Sequence, residues 1–307
     1  MIRVAAVDLG TNTTRLLVAD VDGESLETVR RRERITSLGE GVDQRRRLLP
    51  EPIARVRNCL VEYRREAERL GAERVLAVAT SAVRDAENGE AFLGEVEWSY
   101  GFATRLLDGD GEALWTFRGV AAGRELEEET LVVDIGGGST ELIVGGPGDV
   151  LFHQSLNVGS VRLTERFGDD VDACSAFVRE ALPELSASQG IGVAGTVANL
   201  ASLDLGLAEH DAARTDGYRL PLVGVATQLE RLAVLPLEER RRVPGLEPDR
   251  APVIVAGAII LREVLGRYGL EDIEVSGHDL LDGAALAAAR LPEEEEGAAP
   301  PGANTCC

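Results

Sequence analysis

Apolar positions recur along this chain with two periods, and together they outline most of its elements. In "VAAVDLGTNTTRLLVAD" (4–20) two apolar runs flank a small-residue turn, which predicts a β-hairpin. Residues 26–35 add a third strand. Residues 51–70 carry apolar positions at helical spacing and stop at Gly71, the mark of an amphipathic helix. "RVLAVAT" (74–80) reads as a buried strand, 88–101 as a helix, "FATRLL" (102–107) as a strand, and a helix runs from about Gly111 to Gly123. In the second half, strands at 130–135, 140–145 and 150–156 form a meander, with helices at about 160–167 and 172–185. "GIGVAG" (190–195) is a short strand turning into another helix, and a helix at about 249–268, a strand at 271–276 and a helix at 279–290 close the series. Alternating strands and helices predict an α/β fold with mixed sheets covered by helices.

The opening hairpin has a twin in "VVDIGGGSTELIVGG" (132–146). With Asp8 placed on Asp134, Gly10 falls on Gly136, Thr13 on Ser139, Thr14 on Thr140 and Arg15 on Glu141. Each copy is an apolar strand with an acid near its end, a glycine turn with hydroxyls, and a second apolar strand. The chain therefore reads as a duplication, with one domain over 1–118 and a second over 119–291. The remainder, "PEEEEGAAPPGANTCC" (292–307), combines an acidic run with prolines and small residues and is expected to be disordered.

Composition narrows the function. The 307 residues suffice for two cores. A formal net charge of −21 argues against nucleic-acid binding, which needs clustered cations. It also means that a polyanionic substrate needs arginines, backbone amides or a metal ion at the site. All basic residues are arginine, so lysine-dependent phosphate chemistry is excluded. Cys59, Cys174, Cys306 and Cys307 show neither zinc spacing nor a disulfide framework, and the histidines are scattered. No apolar run approaches the length of a membrane span and no signal peptide is evident, so a cytoplasmic location is expected.

Glycine turns let consecutive backbone amides converge on an anion. Thr11, Thr13, Ser139 and Thr140 would add hydroxyl donors. Two such hairpins across an interdomain cleft would grip a phosphate chain, and Asp8 and Asp134 make sense there as contacts to a divalent ion such as Mg²⁺ or to its waters. Glu141 interrupts an apolar strand and could hold metal or orient a water. Glu112 lies in the first turn of its helix, where it could serve the helix dipole or act as a general base. Arg84 follows the carboxyl end of a buried strand, a usual place for phosphate ligands, although Asp85 and Glu87 offer it salt bridges instead.

These residues resemble the exopolyphosphatase and guanosine pentaphosphate phosphohydrolase family. The resemblance spans about 1–290 and rests on "DLGTNTTRLLV", "ATSAVRDAENG", "DIGGGSTEL", "NVGSVRLTERF", "GLEPDRAPVIVAGA" and "GHDLLDGAAL", in that order. It implies duplicated ribonuclease-H-like domains of the actin and sugar-kinase type. It also implies Mg²⁺-dependent release of terminal phosphate from inorganic polyphosphate, or alternatively hydrolysis of guanosine pentaphosphate. By motif it implies Glu112 as general base and Glu141 as second catalytic carboxylate and metal ligand. Asp134, Gly136, Gly137, Gly138, Ser139 and Thr140 become a metal and phosphate loop, Thr11, Asn12 and Thr13 its counterpart, and Arg84 a phosphate ligand. A homodimer is implied too. The chain departs from the pattern at Gly111, where an acid is usual, and at Pro252, where an aspartate is usual. It resembles the short two-domain form, for which short polyphosphate is the expected preference. Other readings are an ATP-dependent kinase or nucleotide switch, with "VAGTVANLAS" (193–202) near adenosine, and a non-catalytic phosphate sensor.

Overall fold

The computed structural model describes residues 1–122, 124, 126, 129–147, 150–168 and 170–292, so the expected disordered tail lies outside the described residues from 293 onward. The chain forms two compact units, one of Met1–Gly123 completed by the last helix, the other of Arg124–Asp279.

The first unit is built on β1 (Ile2–Leu9), β2 (Thr13–Asp22), β3 (Ser25–Ile35), β4 (Arg74–Ala79) and β5 (Ala103–Leu106), in the sheet order β3-β2-β1-β4-β5. Its helices are α1 (Val42–Arg45), α2 (Pro50–Leu70), α3 (Ser81–Arg84), α4 (Gly89–Tyr100) and α5 (Gly109–Ala121). Strands β1 to β3 run antiparallel, and β4 and β5 run parallel to β1. The sheet is covered on both faces, so period-2 alternation sorts its residues between two cores. Ala5, Val7 and Leu9 join α2 and α4 on one face, while Val4 and Ala6 pack with Trp115 on the other. Pro50 opens α2 and Gly71, at φ 78, ends it in the left-handed conformation that glycine adopts without penalty. Burying Val56, Leu60 and Tyr63 anchors α2, and each such side chain contributes about 1.5–3 kcal/mol.

The second unit repeats the plan. Its strands are β6 (Thr130–Ile135), β7 (Thr140–Gly145), β8 (Val150–Leu156), β9 (Gln189–Val193), β10 (Arg219–Pro221) and β11 (Asp272–Val275), in the order β10-β11-β9-β6-β7-β8. Its helices are α6 (Ser160–Phe167), α7 (Val171–Ala181), α8 (Ala194–Asp204), α9 (Ala212–Thr215), α10 (Leu222–Ala233), α11 (Leu237–Arg240) and α12 (Ile254–Tyr268). Read inward from β8, the first five strands match the first sheet in order and direction, and β10 is an added edge. This is the duplicated ribonuclease-H-like architecture expected from the sequence.

The last helix, α13 (Leu280–Ala288), departs from the expected division, which assigned 119–291 to the second domain. It packs on α5, β1, β2 and β4 of the first unit. Its buried Leu280, Leu281, Ala284 and Ala285 complete the core around Trp115. The two helices cross so closely that a Cβ at Gly283 would lie 2.1 Å from the Trp115 carbonyl oxygen. The expected boundary at 118/119 also falls inside α5.

Candidate active site

The two hairpins share one strand register and one turn hydrogen bond. Asp8 pairs with Arg15 across β1 and β2, and Asp134 pairs with Glu141 across β6 and β7. Gly10 N–H donates to the Thr13 carbonyl at 3.0 Å, and Gly136 N–H donates to the Ser139 carbonyl at 3.0 Å.

In each copy the next segment of chain takes up the carbonyls of the turn. The Thr11 carbonyl accepts from Gly39 N–H at 2.8 Å, and the Asn12 carbonyl accepts from Thr36 and Ser37 N–H at 3.0 and 2.9 Å. In the second unit the start of α6 plays this part. Ser160 N–H donates to the Gly136 carbonyl at 2.9 Å, Val161 N–H to Gly137 at 2.8 Å, and Arg162 Nε to Gly138 at 2.8 Å. Carbonyl and following N–H point in opposite directions across a trans peptide. The amides of Asn12, Thr13, Gly137, Gly138 and Ser139 are therefore turned away from their supports, which is the arrangement of an anion cradle. The support is tight: a Cβ at Gly159 would lie 2.4 Å from the Gly137 oxygen.

The hydroxyls divide into two kinds. Thr140 is wholly buried and donates to the Val158 carbonyl, so it fastens the loop. Its counterpart Thr14 is likewise buried, 2.9 Å from the Thr36 hydroxyl. Ser139 and Thr11 sit within the turns beside the outward amides.

The acidic positions differ between copies. Asp8 Oδ2 accepts from Arg15 Nε at 2.9 Å and lies 2.8 Å from its second nitrogen, a buried ion pair. At the same register the second hairpin places two buried carboxylates, Asp134 and Glu141, with Glu141 Oε1 accepting from Ser155 Oγ at 2.7 Å. Like charges directly across an antiparallel pair repel. Two oxygen donors in that position fit a hard divalent cation. Among the described residues no three His, Cys, Asp or Glu side chains are arranged to hold a metal ion by themselves, so further ligands would be phosphate oxygens and water, the way Mg²⁺ is usually held. Arg15 engages only Oδ2 of Asp8, and Oδ1 is a buried acceptor with no hydrogen bond of its own, so Asp8 keeps an oxygen that suits a cation or its waters.

Arg84 and Glu112 meet within the first unit. Arg84 ends α3 directly after β4, and one of its terminal nitrogens donates to Glu112 Oε2 at 3.1 Å and to the Leu107 carbonyl at 2.7 Å. Glu112 is buried in the first turn of α5, where Asp108 caps the helix by accepting from Gly111 N–H at 2.7 Å. Arg84 thus pairs with neither Asp85 nor Glu87. A cavity of about 400 Å³ opens beside this pair, lined by Arg84, Arg105, Leu107, Asp108, Gly111 and Trp115.

Sequence reasoning did not single out Ser155, Arg162, Gly159 or the 36–39 segment. "NVGSVRL" carried the resemblance, but the support of one loop by another depends on long-range register.

Residues 17–289 match the Ppx/GppA phosphatase family. "Exopolyphosphatase 2" of Mycobacterium tuberculosis is 38% identical, over 94% of this chain and 98% of that protein. A "guanosine-5'-triphosphate,3'-diphosphate pyrophosphatase" of Pseudoalteromonas translucida is 28% identical, over 94% of this chain and 59% of that one. A crystal structure described as an exopolyphosphatase-like protein superposes with a TM-score of 0.88 at 32% identity, covering 95% of this chain and 100% of its own.

Proposed function

The chain belongs to the Ppx/GppA phosphatase family, and from that premise we propose that it is an exopolyphosphatase, releasing terminal phosphate from inorganic polyphosphate by hydrolysis. The observation that carries this reading is the repeated cradle, one in each unit, together with a buried carboxylate held by an arginine. Likeness to the M. tuberculosis exopolyphosphatase supports it.

In this reading the outward amides of each cradle are donors for phosphate oxygens, and Arg84 adds a guanidinium donor. Arg84 also fixes the Glu112 carboxylate, which accepts the proton of the attacking water. The water oxygen bonds to the terminal phosphorus as the phosphoanhydride P–O bond breaks. The leaving chain, one phosphate shorter, keeps the bonding electrons. Asp134 and Glu141 would hold a divalent cation of the Mg²⁺ type, which would neutralise charge on the phosphate oxygens. The amides and Arg84 stabilise the charge that gathers on the equatorial oxygens. Ser155 orients Glu141, and Arg15 orients Asp8.

The relative from P. translucida favours a second reading, hydrolysis of guanosine pentaphosphate by the same machinery. Phosphate release measured side by side from tripolyphosphate, long polyphosphate, guanosine pentaphosphate and ATP separates the two. Turnover on the polyphosphates above the others is expected, and turnover on guanosine pentaphosphate alone would overturn the first reading. A cytoplasmic location and a homodimer complete the proposal, and light scattering checks the latter. Among the described residues no helix is long and apolar enough to cross a membrane.

A further inference from the structure

The cavity beside Glu112 has features that the reaction described above does not use. It lies wholly within the first unit, between the end of β5 and the start of α5. At about 400 Å³ it could hold roughly a dozen waters at about 30 Å³ each, far more room than a packing defect needs. It touches Arg84, which already holds Glu112, and it brings in a second arginine, Arg105.

Arg105 is set apart from most arginines of this acidic chain. It is exposed and meets no carboxylate among the described residues, and its guanidinium lies over the Trp115 ring, 5.4 Å from the centroid. A cation resting on an aromatic face keeps its donors for another partner. The acid lining the cavity is Asp108, whose Oδ1 is committed to the Gly111 amide. Gly111 itself keeps the space open. A Cβ there would stand 3.0 Å from Asp108 Oδ1 and 3.6 Å from Leu107 Cδ2, and the acid usual at this position in the family pattern would bring both bulk and negative charge.

We infer that this cavity is a second phosphate subsite, with Arg105 as its ligand and Gly111 as the residue that admits the anion. The ligand class is a phosphate oxyanion next to the reacting one. It is either the orthophosphate just released or the neighbouring phosphate of the same chain. The inference rests on the proposed phosphohydrolase reading for its purpose, but its binding test does not depend on turnover.

Trp115 provides the readout. The chain has two tryptophans, so Trp98→Phe leaves Trp115 as the sole indole emitter. The full-length Trp98→Phe protein is titrated with orthophosphate and with tripolyphosphate in chelator, where no hydrolysis is expected. A saturable change in emission is expected as the anion draws Arg105 off the ring. Response to orthophosphate identifies a product site, and response to tripolyphosphate alone identifies a chain subsite. Arg105→Gln should weaken the affinity by roughly 10-fold or more, the loss expected for one charge-assisted hydrogen bond. Arg105→Lys should recover most of it, and Gly111→Glu should abolish it while circular dichroism stays native. No emission change with either anion, or a change of the same affinity in Arg105→Gln, overturns the inference. If the wild-type protein releases no phosphate from any polyphosphate yet Arg105-dependent binding persists, the functional reading fails and the subsite stands.

Discussion

Asp134 and Glu141 lie directly opposite each other on β6 and β7, at the register position that Asp8 and Arg15 fill on β1 and β2. One hairpin thus closes its acid with an arginine, and the other sets two carboxylates side by side. The same duplicated frame ties one oxygen of the acid to an arginine in the first copy and, in our reading, offers two carboxylates to a cation in the second.

That contrast predicts opposite stability effects from matched substitutions. Asp8→Asn removes the charge that the Arg15 guanidinium meets at 2.8–2.9 Å in a buried setting. It should cost roughly 2–4 kcal/mol, below the full cost of a wholly buried pair because Arg15 keeps some solvent access. Asp134→Asn removes a like-charge contact, so melting in chelator should be unchanged or higher, while Mg²⁺-dependent phosphate release collapses. Thermal melts of the two variants in chelator check the pair. A strongly lowered melting temperature for Asp134→Asn would argue for a structural carboxylate.

Gly159→Ala tests the support beneath the glycine loop. Its new Cβ would press on the Gly137 oxygen and the Gly138 carbonyl carbon, both 2.4 Å away. Overpacking of this kind costs about 1–3 kcal/mol, and because the strain falls on the cradle, activity should drop by more than the loss of folded protein explains. Denaturant melts alongside phosphate release per folded molecule measure both.

Glu247 sets an acid limit on stability. Burial alone would raise its carboxyl, yet the Arg250 guanidinium and the Asn199 amide, at 2.9 and 2.8 Å, hold it below the usual glutamate range. A depressed carboxylate contributes stability that is present above its unfolded value, about 4.3, and is lost as the pH falls through the folded value. Glu247→Gln should therefore be less stable at neutral pH and lose less stability on acidification below about pH 4. Melts over that range should show the two curves converging.

The hairpins were legible in the sequence because the period-2 pattern, the glycines and the hydroxyls all sit within one short segment each. Arg84 after β4 and Glu112 in the first turn of α5 were legible as positions, but their contact joins residues 28 apart. Ser155 reaches Glu141 only through the register of β7 and β8, which no local pattern fixes. Helix α10 and the three-residue β10 carry little local signal, since "PLVGVATQLERLA" follows a polar stretch with no side-chain cap at its start. The return of α13 to the first unit was hidden for a similar reason. Its side chains are apolar on nearly every face, so periodicity could not say which sheet it covers.

The most direct test of the account is phosphate release from polyphosphate by Glu112→Gln beside the wild-type protein, with Mg²⁺ present. We predict a fall in turnover of roughly 10²–10⁴ with the variant still folded, as expected when a general base is removed. Undiminished turnover by a folded Glu112→Gln protein would contradict the role given to Glu112, and with it the mechanism.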